Sequence, residues 1–510
     1  WKASYLKSPL NENNDKITIP EAGKFFPHEP FLSLHINFSP NDFPKYIEAS
    51  LPGRKRKEAK KKSIEFRDSI FALIGLDYEK DLSSWGGTKF SFAIFNPKDE
   101  DDNAQWLLVL EQGENPLDDN FLDDFWERRA LRATTVTENI KDGISIKSGS
   151  KKQFGKYKDI LSTAIINKNQ ILIASGERTL EESLDIFKNP KVSQFENQKI
   201  IEISSELDNG LALLSISKEG LKNWFGIPSS LSRNEDLENF SASLKINNSK
   251  VLVDGIFSFK NEVNSTKNQS KEALNLLQDI DNSFADFSIL TDTKRLFLKD
   301  NQDPISQLIE PSLANVFNNS KLIAAKEILK EESGPLIFAR NQSNWLIVTG
   351  ENKQEALVDE YLGKANFSKM ILSSELGDLT VWSRVKLEEK EEKDILRNEL
   401  GAVLLQLDGL NLWSNDIIPI KNLNKNESFS TLKYSEEDIY KKNGVYLNQQ
   451  IVLGRDSAKK VLKEWNPWIL LETMTEDKLA KNIESLFIAI GNNQDEKDSE
   501  INLRAKITFD

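Results

Sequence analysis

Apolar residues along this chain fall into short runs and alternations of strand length, each closed by a turn residue and followed by helical spacing. At 166–190 (INKNQILIASGERTLEESLDIFKNP) an apolar strand leads through Gly176 into an amphipathic helix, and Phe187 is followed by Asn-Pro. Proline stops such a helix because it has no N–H to continue the ladder. The same succession is read at 446–467 (YLNQQIVLGRDSAKKVLKEWNP), with Gly454 and Trp465. Two strands around a polar turn are read at 83–115 and again at 331–352. In both, Trp106 or Trp345 opens the second strand, Gly-Glu-Asn closes it, and an acidic amphipathic helix follows. A buried strand and a helix capped by Ser217 or Thr475 are read at 211–225 and 468–483. Alternating strands at 240–259 and 501–509 close both series.

The pairs keep their order, which chance matches would not preserve, while their unequal spacing asks for loops of different length, most visibly at 413–444. The predicted fold class is therefore α+β: two tandem, internally duplicated α+β domains with mostly antiparallel sheets. The period is far too long for a solenoid. The boundaries read as a polar stalk or linker at 1–24, with Pro9 and Pro20, repeat one at 25–262, a linker at 263–282 and repeat two at 283–510.

Composition narrows the chemistry. The 510 residues suit two to four domains on length alone, and the duplication favours two. Lys+Arg number 67 against 80 Asp+Glu, a net charge of −13, which argues against a nucleic-acid binder. The absence of Cys removes disulfides, thiolate metal sites, iron–sulfur clusters and cysteine nucleophiles. Only His28 and His35 supply imidazole, too few for a three-histidine metal site. No cofactor is expected. Ten Trp and 28 Phe supply a core, with an apolar groove for a lipid or pigment as the alternative use.

The run RKRKEAKKK places Arg54, Lys55, Arg56, Lys57, Lys60, Lys61 and Lys62 at the start of a helix whose apolar side includes Ile64, Ile70, Phe71 and Ile74. Positive charge is mildly unfavourable at a helix N-terminus, so the run is not there for stability. It reads either as a solvated face or as a contact for anionic lipid headgroups or an acidic partner. In GLDYEKDLSSWGG (75–87), Asp77 and Asp81 read as caps at a helix-to-strand corner. Ser215 and Lys218 have Ser-x-x-Lys spacing but lack the companion motifs of such nucleophiles. The acidic loops 99–103 and 494–500 lack calcium-loop spacing. No phosphate loop, nucleophile elbow or zinc-protease helix motif occurs.

No window approaches the roughly 18 apolar residues that span a bilayer. The chain begins at Trp1 rather than Met, which leads us to expect a further segment upstream, whose kind the residues present leave open.

The strings GLDYEKDLSSWGG (75–87), FLDDFWERRA (121–130) and FFPHEPFLSLHINFSP (25–40) resemble a bacterial family of unknown function found widely in cyanobacteria. The resemblance extends over most of the chain. It implies an exported protein with an N-terminal hydrophobic anchor, on the periplasmic or thylakoid-lumenal side, and transfers no active-site residues. The expected function is a non-enzymatic extracytoplasmic binding or assembly module, tethered to a membrane by a segment outside this sequence. It would present a face to a protein partner and bind no nucleic acid. The alternatives are a hydrolase built on paired carboxylates and a carrier holding a lipid or pigment in an apolar cavity.

Overall fold

The computed structural model describes residues 18–37, 56–263, 286–290, 323–421 and 441–509. Shorter gaps fall inside these ranges, among them 83–88, 96–104, 112–120, 225–230, 470–481 and 492–498. Strand outweighs helix among the described residues, 51% to 32%, and the strands pair antiparallel in every described register. This corrects the expected α+β class with two tandem α+β domains. The physical reason is that long hairpins such as Gly377–Lys390 with Lys393–Leu407 extend the antiparallel sheet of each unit, so strand dominates and the short helices between strands only cover it. By contacts the chain divides into two compact units, neither continuous in sequence. One takes Trp1–Phe225, Glu238–Phe257 and Leu470–Lys481; the other takes Gly226–Leu237, Ser258–Ile469 and Asn482–Asp510.

The first unit runs β1 (Leu32–Ile36), α1 (Arg56–Leu73), β2 (Lys89–Ile94), β3 (Trp106–Glu111), α2 (Phe121–Ala130), β4 (Thr135–Lys141), β5 (Ile144–Gln153), β6 (Lys156–Ile166), β7 (Gln170–Ala174), α3 (Glu177–Lys188), α4 (Gln198–Glu206), β8 (Ala212–Ser217), α5 (Lys218–Trp224), β9 (Leu237–Asn247) and β10 (Lys250–Phe259). Its antiparallel pairings give the order β4-β5-β6-β7-β3-β2-β1-β8-β9, and β10 pairs with β9.

β3 and β7 lie in the middle and are buried on both faces, which is why their runs WLLVL and ILIA do not alternate. Leu107, Val109 and Leu172 join Phe25, Phe26, Leu180 and Leu184 in one cluster. Their neighbours Leu108, Leu110, Ile171 and Ile173 join Phe71, Tyr78, Phe125 and Trp126 in another. The expected cap forms: Ser217 Oγ accepts from the Gly220 N–H at 3.2 Å. A Cβ on Gly220 would stand 2.1 Å from the Phe31 carbonyl oxygen, so only glycine lets α5 approach the start of β1 this closely.

The second unit runs β11 (Asp286–Leu290), α6 (Ile323–Glu331), β12 (Leu336–Arg340), β13 (Trp345–Gly350), α7 (Gln354–Lys364), β14 (Ser368–Ser374), β15 (Gly377–Lys390), β16 (Lys393–Leu407), β17 (Leu410–Ser414), α8 (Ile417–Lys421), β18 (Lys441–Lys442), β19 (Val445–Tyr446), β20 (Gln449–Gly454), α9 (Arg455–Leu462), β21 (Ile483–Gly491) and β22 (Glu500–Phe509). Its pairings give β14-β15-β16-β17-β13-β12-β11-β20-β21-β22, again antiparallel throughout. Trp345, Trp382 and Trp413 are fully buried here, with the rings of Trp382 and Trp413 stacked at 5.7 Å.

The second order repeats the first strand for strand. By that order β2–β3 matches β12–β13, so the segments 83–115 and 331–352 occupy equivalent places. The equivalence of 166–190 with 446–467 does not hold: β7–α3 corresponds to β17–α8, and β20–α9 corresponds to β8–α5. The segment 468–483 does not open on the expected strand, because Trp468 and Ile469 are helical, and 470–481 lies outside the described residues.

Candidate functional site

Arg54 and Lys55 lie outside the described residues, and Arg56 opens α1. Lys57, Lys60 and Lys61 are exposed, and spacings of three and four residues set them on one face of the helix. Lys61 pairs with Glu65 at 3.7 Å. Ser63, Arg67 and Phe71 occupy the buried side. The Arg67 guanidinium lies 3.8 Å from the centre of the Tyr78 ring and bonds Asp68 and Glu79, which ties α1 to the turn at Tyr78–Leu82. Asp77 Oδ1 accepts from the Lys80 N–H, the capping role read for it. The loops 99–103 and 494–498 lie outside the described residues, among which no three His, Asp or Glu side chains are placed to hold a metal ion.

His35 is the one imidazole in a sealed polar array. β1 sets it directly across from Ser91 on β2. Its Nδ1 lies 2.8 Å from Ser91 Oγ and its Nε2 lies 3.0 Å from Gln194 Oε1, while Gln194 Nε2 donates to Ser33 Oγ at 2.6 Å. Because Gln194 offers an oxygen, Nε2 carries the proton and Nδ1 accepts from the Ser91 hydroxyl. The order serine, imidazole, amide has the form of an activated nucleophile. Burial cancels that use: His35 and Ser91 are each 2% exposed and Gln194 is fully buried, so no substrate reaches the hydroxyl. Burial also holds the imidazole pKa down to about 4, against a smaller opposing push from the Gln194 hydrogen bond, which makes it a weak base.

On the equivalent strand of the second unit, β11, Asp286 is buried at 6% exposure. Its Oδ2 accepts from Arg340 Nε and Nη2, both at 3.0 Å, and from Ser457 Oγ at 2.5 Å. Its Oδ1 accepts from the Gly454 N–H at 2.8 Å, at the start of α9. The carboxylate is saturated by structural donors, which leaves it none for a substrate. Glu111 is raised by burial and accepts from the Ala22 N–H at 3.0 Å. Ser215 is buried on β8 and accepts from Ser241 Oγ at 3.3 Å, so it is not presented with Lys218 as a nucleophile pair.

The surface left unsatisfied is the hairpin end of the second unit. β14 (SKMILSS) pairs with β15 alone among the described registers, and Met370, Ile371 and Leu372 are 41%, 68% and 40% exposed. β15 and β16 continue beyond it, where Leu387 faces Leu396 across the ladder. Val385, Leu387 and Leu396 are exposed there as well. Strand alternation puts Met370, Leu372, Val385 and Leu387 on one face. A groove of about 580 Å3 runs past the end of β14, lined by Ser368, Met370, Ser383, Val385 and Leu387 among others.

The equivalent place in the first unit is different. β4 reads TVTENIK, and the β5–β6 tip reads KKQ and KYKD. There Lys141 pairs with Asp185 at 2.8 Å and Asn139 bonds Glu177 at 3.1 Å. One edge is guarded by charge and the other is apolar. The sequence offers three consecutive apolar residues here, Met370–Ile371–Leu372, between a helix and the Gly377 turn, a run that marks a strand and not whether its edge is covered.

A family model described as "Protein of unknown function (DUF3352)" matches residues 3–505. No curated protein matches the chain. Among solved structures, crystal form III of TP0453 is 12% identical and covers 52% of this chain and 87% of that one, with a TM-score of 0.27. Crystal form I of TP0453 gives 12%, 52% and 87%, with a TM-score of 0.28. A likeness of that size carries no argument about this chain.

Proposed function

The chain belongs to the DUF3352 family of proteins of unknown function, and from that premise we propose that it is a non-enzymatic binding or assembly module for a protein partner. The observation that supports this reading is the uncovered apolar edge of β14 with the hairpin face beside it. Sheet edges of this kind are ordinarily blunted by charge, proline or cover, because unpaired N–H and C=O groups template association. A contiguous exposed apolar patch marks an interaction site.

The rival readings draw less support. The serine–imidazole pair is sealed, Asp286 is saturated, and the groove at β14 is open along the surface rather than enclosed as a lipid or pigment carrier needs. Export and tethering to a membrane remain part of the proposal on the strength of the sequence resemblance. No helix among the described residues is long and apolar enough to cross a membrane.

Affinity capture from membranes of the source organism, with the wild-type protein and with Leu387→Lys/Leu396→Lys, tests the reading. Wild type is expected to retain a protein that the variant loses at least tenfold. Equal recovery by both counts against a binding role for this face. A secondary contact is proposed for the exposed Lys57, Lys60 and Lys61 with anionic headgroups, worth about 1 kcal/mol per lysine near a charged surface. Sedimentation with vesicles containing about one-third anionic lipid at low salt is expected to pull down wild type, and pull down the triple Lys→Gln variant several-fold less. Wild type left wholly in the supernatant would remove the lipid contact.

A further inference from the structure

We propose that the occupant of the β14 edge is a second copy of this chain, the two β14 strands pairing antiparallel about a two-fold axis that passes beside Ile371. This rests on reading the chain as an assembly module and names the partner.

The first ground is an edge without a guard. Lys369 carries the only charge within Ser368–Ser374, and that charge is turned away. Its ammonium bonds Glu355 on α7 at 2.8 Å and lies 5.7 Å from the centre of the Trp382 ring. The Glu355 carboxylate accordingly raises the Lys369 pKa. What remains facing outward along the strand is Met370, Ile371 and Leu372.

The second ground is self-complementarity. Joining two copies of one edge into a continuous sheet requires a two-fold axis normal to the sheet. Such an axis preserves faces, so residues brought opposite one another must differ by an even number of positions. With the axis at Ile371, Met370 meets Leu372 of the second copy and Ile371 meets its own counterpart. Lys369 then meets Ser373, and Ser368 meets Ser374. Every apolar residue meets an apolar one, and no like charges face each other. Centring on Met370 instead sets Lys369 against Ile371 and Ser368 against Leu372. Centring on Leu372 sets Met370 and Ile371 against serines. Cross-strand apolar pairs stabilise a ladder and mismatched ones do not, so one register is selected.

The third ground is closure. The equivalent edge β4 carries an exposed carboxylate, Glu138, in the middle of the strand, which β14 lacks. With β14 the one unguarded edge among the described residues, the association ends at two. A seven-residue ladder with a small flanking apolar face falls below the roughly 800 Å2 per partner of a standard stable interface. The dimer is therefore concentration-dependent.

The absence of Cys makes the test positional. Ile371→Cys alone is expected to form a disulfide-linked dimer on mild oxidation, whereas Ile140→Cys on the guarded β4 edge does not. Lys369→Cys mixed with Ser373→Cys is expected to cross-link faster than either protein alone. Sedimentation equilibrium is expected to show reversible dimerisation of wild type, weakened at least tenfold by Ile371→Lys, which sets two ammonium groups face to face. Ile371 is exposed, so this variant keeps its fold, as far-UV circular dichroism will show.

Wild type that stays monomeric at about 100 μM, or cross-linking no faster at 371 than at 140, overturns the proposal. If wild type is monomeric but captures another protein through Leu387 and Leu396, the dimer fails and the binding reading survives. If it is monomeric and captures nothing, both fail.

Discussion

Asp286→Ala is expected to destabilise the second unit by about 3–5 kcal/mol, the usual cost of stripping one partner from a buried ion pair. Four donors converge on this carboxylate, and removing it leaves three consequences in one place. The Arg340 guanidinium, 15% exposed by side chain, keeps its charge without its counter-ion. The Gly454 N–H, one of the orphan donors at the start of α9, loses its acceptor. Ser457 keeps a bond to Arg340 Nη2 at 3.2 Å but loses the carboxylate. Asp286→Asn retains an oxygen for Gly454 and removes the charge, so it is expected to fall between wild type and Ala. Asp286→Ala/Arg340→Met is expected to recover part of the loss, since an apolar pair of similar volume is tolerated where a lone charge is not. Recovery stays incomplete because Gly454 remains unpaired. Chemical unfolding followed by the fluorescence of buried Trp382 and Trp413 reads these differences. A loss under about 1 kcal/mol for Asp286→Ala would mean that the carboxylate does not hold β11 to α9.

How far the sequence reached is clearest at particular residues. The sequence reads Trp106 and Trp345 as opening equivalent strands, and they open β3 and β13. It reads Ser217 as a cap, and Ser217 caps α5. These are local features, set by burial pattern and by groups within four residues. What local pattern could not give was which strand lies beside which. β1 lies between β2 and β8, so Leu32 pairs with Ile94 on one side and with Ile216 on the other. A strand, a Gly and an amphipathic helix occur at both β7–α3 and β20–α9, and similarity of pattern joined them although the sheet order does not. The same limit hid the candidate surface. That Met370–Leu372 lies on an uncovered edge depends on no other strand among the described residues arriving there, and nothing within the segment encodes that. The basic run at 54–62 was conspicuous because charge is visible in sequence, whereas an open edge is visible only in the fold. His35 likewise could be flagged only as a scarce imidazole, since Gln194 stands 159 residues away.

The scarce imidazole carries the second large effect, which is on stability rather than catalysis. With the folded pKa of His35 held at about 4 and an ordinary value of 6.5, the unfolded chain binds a proton that the native state refuses. The stabilisation from keeping His35 neutral is fully present above pH 6.5 and is lost progressively as pH falls toward 4. At about 1.4 kcal/mol per pH unit this amounts to about 3 kcal/mol across the window. Carboxylates also titrate there, so the measurement is a difference: chemical unfolding of wild type and of His35→Gln at pH 7, 6, 5 and 4.5. At pH 7 the variant is expected to be less stable by about 1–3 kcal/mol, because Ser91 and Gln194 lose well-placed partners. Toward pH 4.5 the two are expected to converge, since the variant has no imidazole to protonate. Parallel pH curves would show that His35 is not buried neutral in the array with Ser91 and Gln194. In that case the objection to a catalytic serine at position 91 would weaken, because a solvated imidazole with an ordinary pKa is the base that such a nucleophile requires. The same titration therefore tests the stability of the first unit and the non-enzymatic reading.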